Sequence, residues 1–206
     1  MVGKEKAWSG ARFRHPARQC IFMDYRKALT PMPPLKKGYV QLYTGAGKGK
    51  TTAALGLALR ASGAGLRIFI AQFAKGIETS EVRALRKLSR HITLKQFGTR
   101  AFLKKKPSRI DGMLAAEGMA AVEKIIAGGR FDVVILDELC AVCYCNLVPV
   151  ERVLDCIRSR PDHVEVIITG RSAPKELVEA ADLVTEMREV KHYYSKGAQA
   201  RKGIEY

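Results

Sequence analysis

Acidic side chains are scarce in this chain: 20 Asp and Glu stand against 36 Lys and Arg, a formal net charge of +16. Such a deficit points to an anionic partner, whether nucleotide, nucleic acid, acidic protein or membrane surface. No apolar run approaches the roughly 18 residues of a membrane span. The N-terminal stretch also lacks the apolar core of a secretion signal, so neither a spanning nor an exported chain is expected. Cysteine is present in an odd number, five, four of them between Cys140 and Cys156. That excludes a disulfide framework and makes a reducing, cytoplasmic home the expectation. No internal repeat is visible. What remains is a chain of 206 residues, 47% hydrophobic and 27% charged, enough for one sizeable domain with a buried core.

Part of the charge is local. Residues 1–37 hold nine basic side chains against Glu5 and Asp24, which leaves a surplus of nine for the rest. Pro16, Pro31, Pro33 and Pro34 interrupt this stretch, and apolar periodicity is weak. It reads as a basic, largely flexible leader with a short helix around Cys20 to Leu29. A solvated tail and a docking segment are both open, and Met23 and Met32 offer alternative starts. The one domain boundary expected is near Lys37, with a single domain over 38–206.

From residue 38 strand and helix patterns alternate. Strands are predicted over Tyr39 to Tyr43, Leu66 to Phe73, Ile92 to Phe97, Asp132 to Leu136, His163 to Thr169 and Leu183 to Met187. Helices are predicted over Lys50 to Ser62, Glu78 to Leu88, Ile110 to Ala127, Pro149 to Ser159 and Ala173 to Ala180. Gly63 and Gly65 close the first helix, and Gly128-Gly129 the third. Alternation of this kind predicts an α/β fold, a mostly parallel sheet with helices on both faces. The site is then expected at the carboxyl ends of the strands.

The first strand runs into TGAGKGKTT, residues 44–52. Gly49-Lys50-Thr51 closes the phosphate-loop pattern G-x-x-x-x-G-K-[ST], but Thr44 stands where the first glycine belongs. The glycines of Gly45-Ala46-Gly47-Lys48-Gly49 let backbone N–H groups turn inward, and the helix behind them adds its positive end. Lys50 would meet phosphate oxygens, the Thr51 hydroxyl a Mg²⁺ ion, and Lys48 is an extra cation. The alternative is a plain glycine-rich turn. In VVILDEL, residues 133–139, an apolar strand ends in Asp137-Glu138. Such a strand is expected beside the loop strand, its acid reaching the metal; the alternative is a helix cap after a strand. Glu138 could orient a water for hydrolysis or serve only the metal. After VIIT comes Thr169-Gly170-Arg171, whose arginine either faces the same phosphates or lies on the surface. Lys75 in AQFAKG stands equally between the two.

Cys140, Cys143 and Cys145 invite a metal reading, but no second C-x₂-C pair exists, and His163 and Cys156 form no pattern with them. They read as buried small hydrophobes, with a redox or thiolate–metal role as the alternative. The charge would suit a nucleic-acid-stimulated ATPase, yet no aromatic–basic alternation suited to base stacking is present. A non-catalytic nucleotide-gated binding protein is the third reading.

These segments together resemble the phosphate-loop corrinoid adenosyltransferases, cob(I)yrinic acid a,c-diamide adenosyltransferases. The resemblance covers 38–206 through GAGKGKTT, AQFAKG, VVILDEL, VIITGR with AADLVTEM, and the ending VKHYYSKGAQARKGIEY. It implies a P-loop (RecA-like) fold and transfer of the 5′-deoxyadenosyl group of ATP to Co(I) of a corrinoid. Tripolyphosphate leaves, with ATP held reversed relative to kinases. It also implies an ATP site over Thr44–Thr52 and Mg²⁺ at Thr51 and Glu138 with Asp137 nearby. Lys50, Glu138 and Arg171 carry the chemistry in this reading. GTRAFLKKKPS, 98–108, is implied to meet the corrin, with Phe102 as the match that eases reduction of Co(II). The only Trp of the chain is Trp8, so no Trp serves there. An electron donor protein or flavin and a homodimer are further implications, as is an N-terminal segment covering a partner's site.

Overall fold

Strands form where β-branched and aromatic runs are bounded by turn residues, and helices where apolar residues recur at helical spacing. The structure is a computed structural model, described here for residues 35–88, 90–100 and 107–206. The strands are β1 (Val40–Thr44), β2 (Ile68–Phe73), β3 (Ile92–Phe97), β4 (Val133–Asp137), β5 (Glu165–Thr169) and β6 (Leu183–Glu186). The helices are α1 (Lys50–Gly63), α2 (Ser80–Leu88), α3 (Arg109–Ala127), α4 (Leu139–Tyr144), α5 (Val150–Arg158) and α6 (Lys175–Ala180), and a 3₁₀ turn covers Tyr193–Lys196. Most of the leader, including the helix expected around Cys20 to Leu29, lies outside the described residues, as does Phe102.

All six strands are parallel, in the order β3-β2-β4-β5-β1-β6. The expected α/β fold with helices on both faces is therefore present. Strand alternation divides the core. Phe69, Ala71 and Phe73 of β2 join Val134 and Leu136 of β4 beneath α3, α4, α5 and α6. Ile68 and Ile70 join Val133, Ile135 and Ile167 beneath α1 and α2. Ile70, Ile135 and Ile167 are fully buried, each contributing about 1.5–3 kcal/mol relative to exposure. Among the described residues no helix is long and apolar enough to cross a membrane.

Two expectations need correcting. The acid-bearing strand β4 does not lie beside β1: β5 stands between them, pairing Leu42 with Ile168 on one side and Ile168 with Leu136 on the other. An interior strand of a parallel sheet is covered on both faces and so must be largely apolar, as VIIT is, with all four residues buried. The segment after Asp137-Glu138 forms α4, which the sequence pattern did not suggest because six residues are too short to show a period. The cysteines sit there, with Cys140 and Cys143 buried in the core. Burial pushes the thiols of Cys140, Cys143 and Cys156 up to about 12, so all three are protonated and unreactive at neutral pH.

Candidate active site

The carboxyl ends of β1, β2, β4 and β5 meet where α1 begins. The reason the loop is a residue short lies in the sheet. Thr44 continues β1, paired with Glu186 of β6, and its carbonyl accepts the N–H of Met187 at 2.8 Å. The position that holds the first glycine in longer loops is therefore spent on a strand. The loop then leans on Met187: Gly47 N–H donates to its carbonyl at 2.7 Å. A Cβ on Gly45, at φ 98°, would stand 2.4 Å from that oxygen, and one on Gly47 2.7 Å from it. Only glycine fits at either place. Gly47 is buried, Ala46 and Lys48 are exposed, and Gly49 reaches α1 at φ 118°.

Lys50, only 7% exposed, hairpins back so that Nζ donates to the carbonyls of Gly45 at 2.7 Å and Gly47 at 2.6 Å. Burial, followed by the nearby Arg171 guanidinium, lowers its pKa from the ordinary lysine value. An incoming polyanion would offset both penalties.

Asp137 is the buried anchor. It is wholly inaccessible, and four donors meet its two oxygens. Oδ1 accepts from Thr51 Oγ1 at 2.8 Å and Thr169 Oγ1 at 2.7 Å. Oδ2 accepts from Gln72 Nε2 at 3.1 Å and Lys75 Nζ at 2.7 Å. Burial works against its charge, but the Lys75 ammonium and the hydroxyl donors outweigh it and hold the carboxyl below its ordinary value. Lys75 is correspondingly raised, its own burial penalty overcome by Asp137. This settles where Lys75 points: at Asp137, with Thr51 Oγ1 3.3 Å away. Gln72 and Thr169 were not foreseen as members of the site. A polar residue inside IFIAQF or EVIIT was the available signal, since a buried polar group requires a partner.

Glu138 differs from its neighbour. Its backbone N–H donates to Thr169 Oγ1 at 3.0 Å, while its carboxylate makes no hydrogen bond or ion pair among the described residues and lines the cavity. Burial and then the Asp137 charge raise its pKa. Its φ of 59° is left-handed, as are those of Ala74 (52°), just before Lys75, and Ser172 (52°), just after Arg171. Three of the four non-glycine residues with positive φ among those described thus stand at the ends of β2, β4 and β5. Such strain costs about 1–3 kcal/mol each and clusters at functional sites. At Gly170, φ 145°, a Cβ would lie 2.7 Å from Cys140 Cβ, so α4 is what demands glycine in the Thr-Gly-Arg turn.

The cavity bounded by these groups measures about 840 Å³. Loop residues 47–51, Thr52, Lys75, Glu138 and Arg171 form one side, and Leu55, Gly56, Leu59, Ala84 and Leu85 of α1 and α2 another. His192 and residues 203–206 close it. Sequence reasoning brought together the loop, Asp137, Glu138 and Arg171, and they do meet. It did not foresee that Lys48 turns away from the loop toward the C-terminal segment, where Nζ lies 2.8 Å from Glu205 Oε1.

A divalent cation was expected at Thr51, Asp137 and Glu138. Both Asp137 oxygens already accept donors, one of them the Lys75 ammonium. Thr51 and the unpartnered Glu138 carboxylate do fit a Mg²⁺ ion that keeps waters and takes its other ligands from phosphates.

The family model for the ATP:corrinoid adenosyltransferases BtuR/CobO/CobP matches residues 36–206. Corrinoid adenosyltransferase CobA of Salmonella typhimurium is 34% identical over 194 residues, 94% of this chain and 98% of that protein. The corrinoid adenosyltransferase of Escherichia coli K12 is 36% identical over 172 residues, 83% of this chain and 87% of its own. Among solved structures, the RadB recombinase superposes on 76% of this chain and 77% of its own with a TM-score of 0.47 at 15% identity.

Proposed function

This chain belongs to the ATP:corrinoid adenosyltransferase family, and on that premise we propose that it transfers the 5′-deoxyadenosyl group of ATP to the Co(I) centre of a corrinoid, cobalamin or cobyrinic acid a,c-diamide, releasing tripolyphosphate. The observation that carries this reading is the pairing of a shortened phosphate cradle with an open carboxylate and an arginine around one cavity. The cobalt electron pair forms the Co–C bond, the C5′–O bond breaks, and the tripolyphosphate takes the bonding pair. No general base is needed, because the nucleophile carries no proton.

The protein's contribution is then alignment and charge. Backbone N–H groups from Gly45 to Thr51 and the positive end of α1 hold the phosphates. Lys50 exchanges its two loop carbonyls for phosphate oxygens, and Arg171 offsets the charge growing on the leaving group. Thr51 and Glu138 would hold Mg²⁺, which when bound neutralises phosphate charge. Asp137 stands behind them and fixes the Thr51 hydroxyl. The strained backbone at Glu138 and Ser172 keeps Glu138 and Arg171 aimed into the cavity rather than along the strands. Phe102 against the corrin, an electron donor protein or flavin, and a homodimer in the cytoplasm are carried by the family resemblance.

Full-length protein mixed with Mg-ATP and chemically reduced cobalamin tests the reading. The expected result is a light-sensitive alkylcobalamin spectrum with one tripolyphosphate per turnover. ADP and phosphate released at the same rate with and without corrinoid would overturn it, and stimulation by DNA would turn the reading toward a nucleic-acid-dependent ATPase.

A further inference from the structure

The three donors of the Lys48 ammonium all end on the C-terminal segment. Nζ donates to Tyr193 Oη at 2.9 Å, to the Ile204 carbonyl at 3.1 Å and to Glu205 Oε1 at 2.8 Å. An ammonium has no further donor to offer. Glu205 also accepts the Tyr193 hydroxyl, the Arg201 backbone N–H at 2.7 Å and the Arg201 guanidinium at 3.4 Å. Arg201 and Lys48 flank the Tyr193 ring, 5.1 and 5.6 Å from its centroid. On the far side, Ser80 Oγ of α2 donates to the Tyr206 carbonyl at 3.1 Å. The segment thus bridges the phosphate loop and α2 across the mouth of the cavity.

No buried apolar side chain anchors it there. No residue from 191 to 206 is buried, so its place over the cavity depends on polar contacts. Among the described residues, three of the four that reach the loop and α2 come from Lys48, whose carboxylate partner is Glu205. Glu205 in turn gathers Tyr193 and Arg201 within the segment. We infer that Glu205 is a positioning residue of the nucleotide site: acting through Lys48, it seats residues 193–206 as a wall of the cavity and keeps the Lys48 ammonium off the phosphates. This rests on the nucleotide reading above and adds to it a division of labour. Lys50 meets the phosphates, while Lys48 tethers the wall.

Two mechanisms with opposite signs separate the alternatives. If Lys48 is a tether, Glu205→Gln loosens the wall and raises the KM for ATP about fivefold, the upper end of what a partly exposed ion pair sustains, with kcat within about twofold. Trypsin then cleaves after Arg201 and Lys202 faster than in the wild type, and ATP slows that cleavage. Tyr193→Phe, which removes the hydroxyl that accepts from Lys48 and donates to Glu205, should raise the KM and speed the cleavage in the same direction and serves as the second variant should the first fold poorly. A KM that falls or stays unchanged in Glu205→Gln, with unchanged cleavage, overturns the inference, since Lys48 would then be a phosphate ligand that Glu205 restrains. Equilibrium dialysis with ATP alone keeps this separate from the parent reading. A wild type that binds no ATP sinks both, whereas a wild type that binds ATP as tightly as Glu205→Gln sinks only the tether.

Discussion

Two lysine–carboxylate pairs flank the same loop at nearly the same distance, 2.7 Å for Lys75–Asp137 and 2.8 Å for Lys48–Glu205. They differ in what surrounds them. Asp137 is inaccessible and Lys75 only 26% exposed, whereas Lys48 is 39% exposed. Desolvation makes the inner pair a fixture: neither charge is tolerable without the other, and hydroxyl and amide donors must complete the shell. The outer pair is screened by water and salt and holds only a segment with no core of its own. Distance is therefore a poor guide to what an ion pair does. The inner pair supports the fold beneath the site, and the outer one ties the C-terminal segment to the loop at the edge of the cavity.

The largest effect that would break this contrast is expected at the inner pair. Lys75→Met should cost about 3 kcal/mol of unfolding free energy at neutral pH, since it strands a buried charge. Denaturant unfolding measures it. The depressed Asp137 contributes stability that is present above its unfolded value of about 3.9 and lost as pH falls through its lower folded value. The raised Lys75 contributes stability present below its unfolded value of about 10.4 and lost as pH rises through its folded value. The gap between variant and wild type should therefore be widest at neutral pH and close toward both extremes. A gap independent of pH would mean that packing, not charge, sets it.

Next in size is Lys50→Ala, expected to weaken ATP binding about 10- to 100-fold through loss of a charge-assisted hydrogen bond, read by equilibrium dialysis. Glu138→Gln should go the other way in stability. A carboxyl whose folded value is raised loses stability as pH climbs from the unfolded value through the folded one. Removing that charge should add about 0.5–1 kcal/mol at neutral pH, vanishing in acid, while Mg-ATP-dependent turnover falls. The smallest effect is expected at the outer pair. Glu205→Gln should leave the thermal midpoint within about 1 °C of the wild type, with its influence on ATP KM fading as salt rises. A large drop in the midpoint would place Glu205 in the fold rather than at its door.

How much was legible varied with the range of the interaction. The strand and helix positions, the cradle and the acids after VVIL were readable because their signals lie within a few residues. α1 ran one residue further than expected, through Gly63, and β2 began two residues later, at Ile68. α4 was invisible, too short for a period, and with it the reason for Gly170 and for the burial of Cys140. Gln72 and Thr169 could have been suspected as polar residues in apolar strands, but nothing local named Asp137 as their common acceptor.

The order of residues alone determined that this would be a parallel α/β sheet with a phosphate cradle opening its first helix, because side-chain periodicity and glycine's freedom act locally. Only the tertiary structure decided that β5 would separate β1 from β4, that Lys75 would meet Asp137, and that Lys48 would reach 157 residues along the chain to Glu205. Those choices depend on which charges are desolvated together and which strands share an edge, and both are settled when distant segments pack.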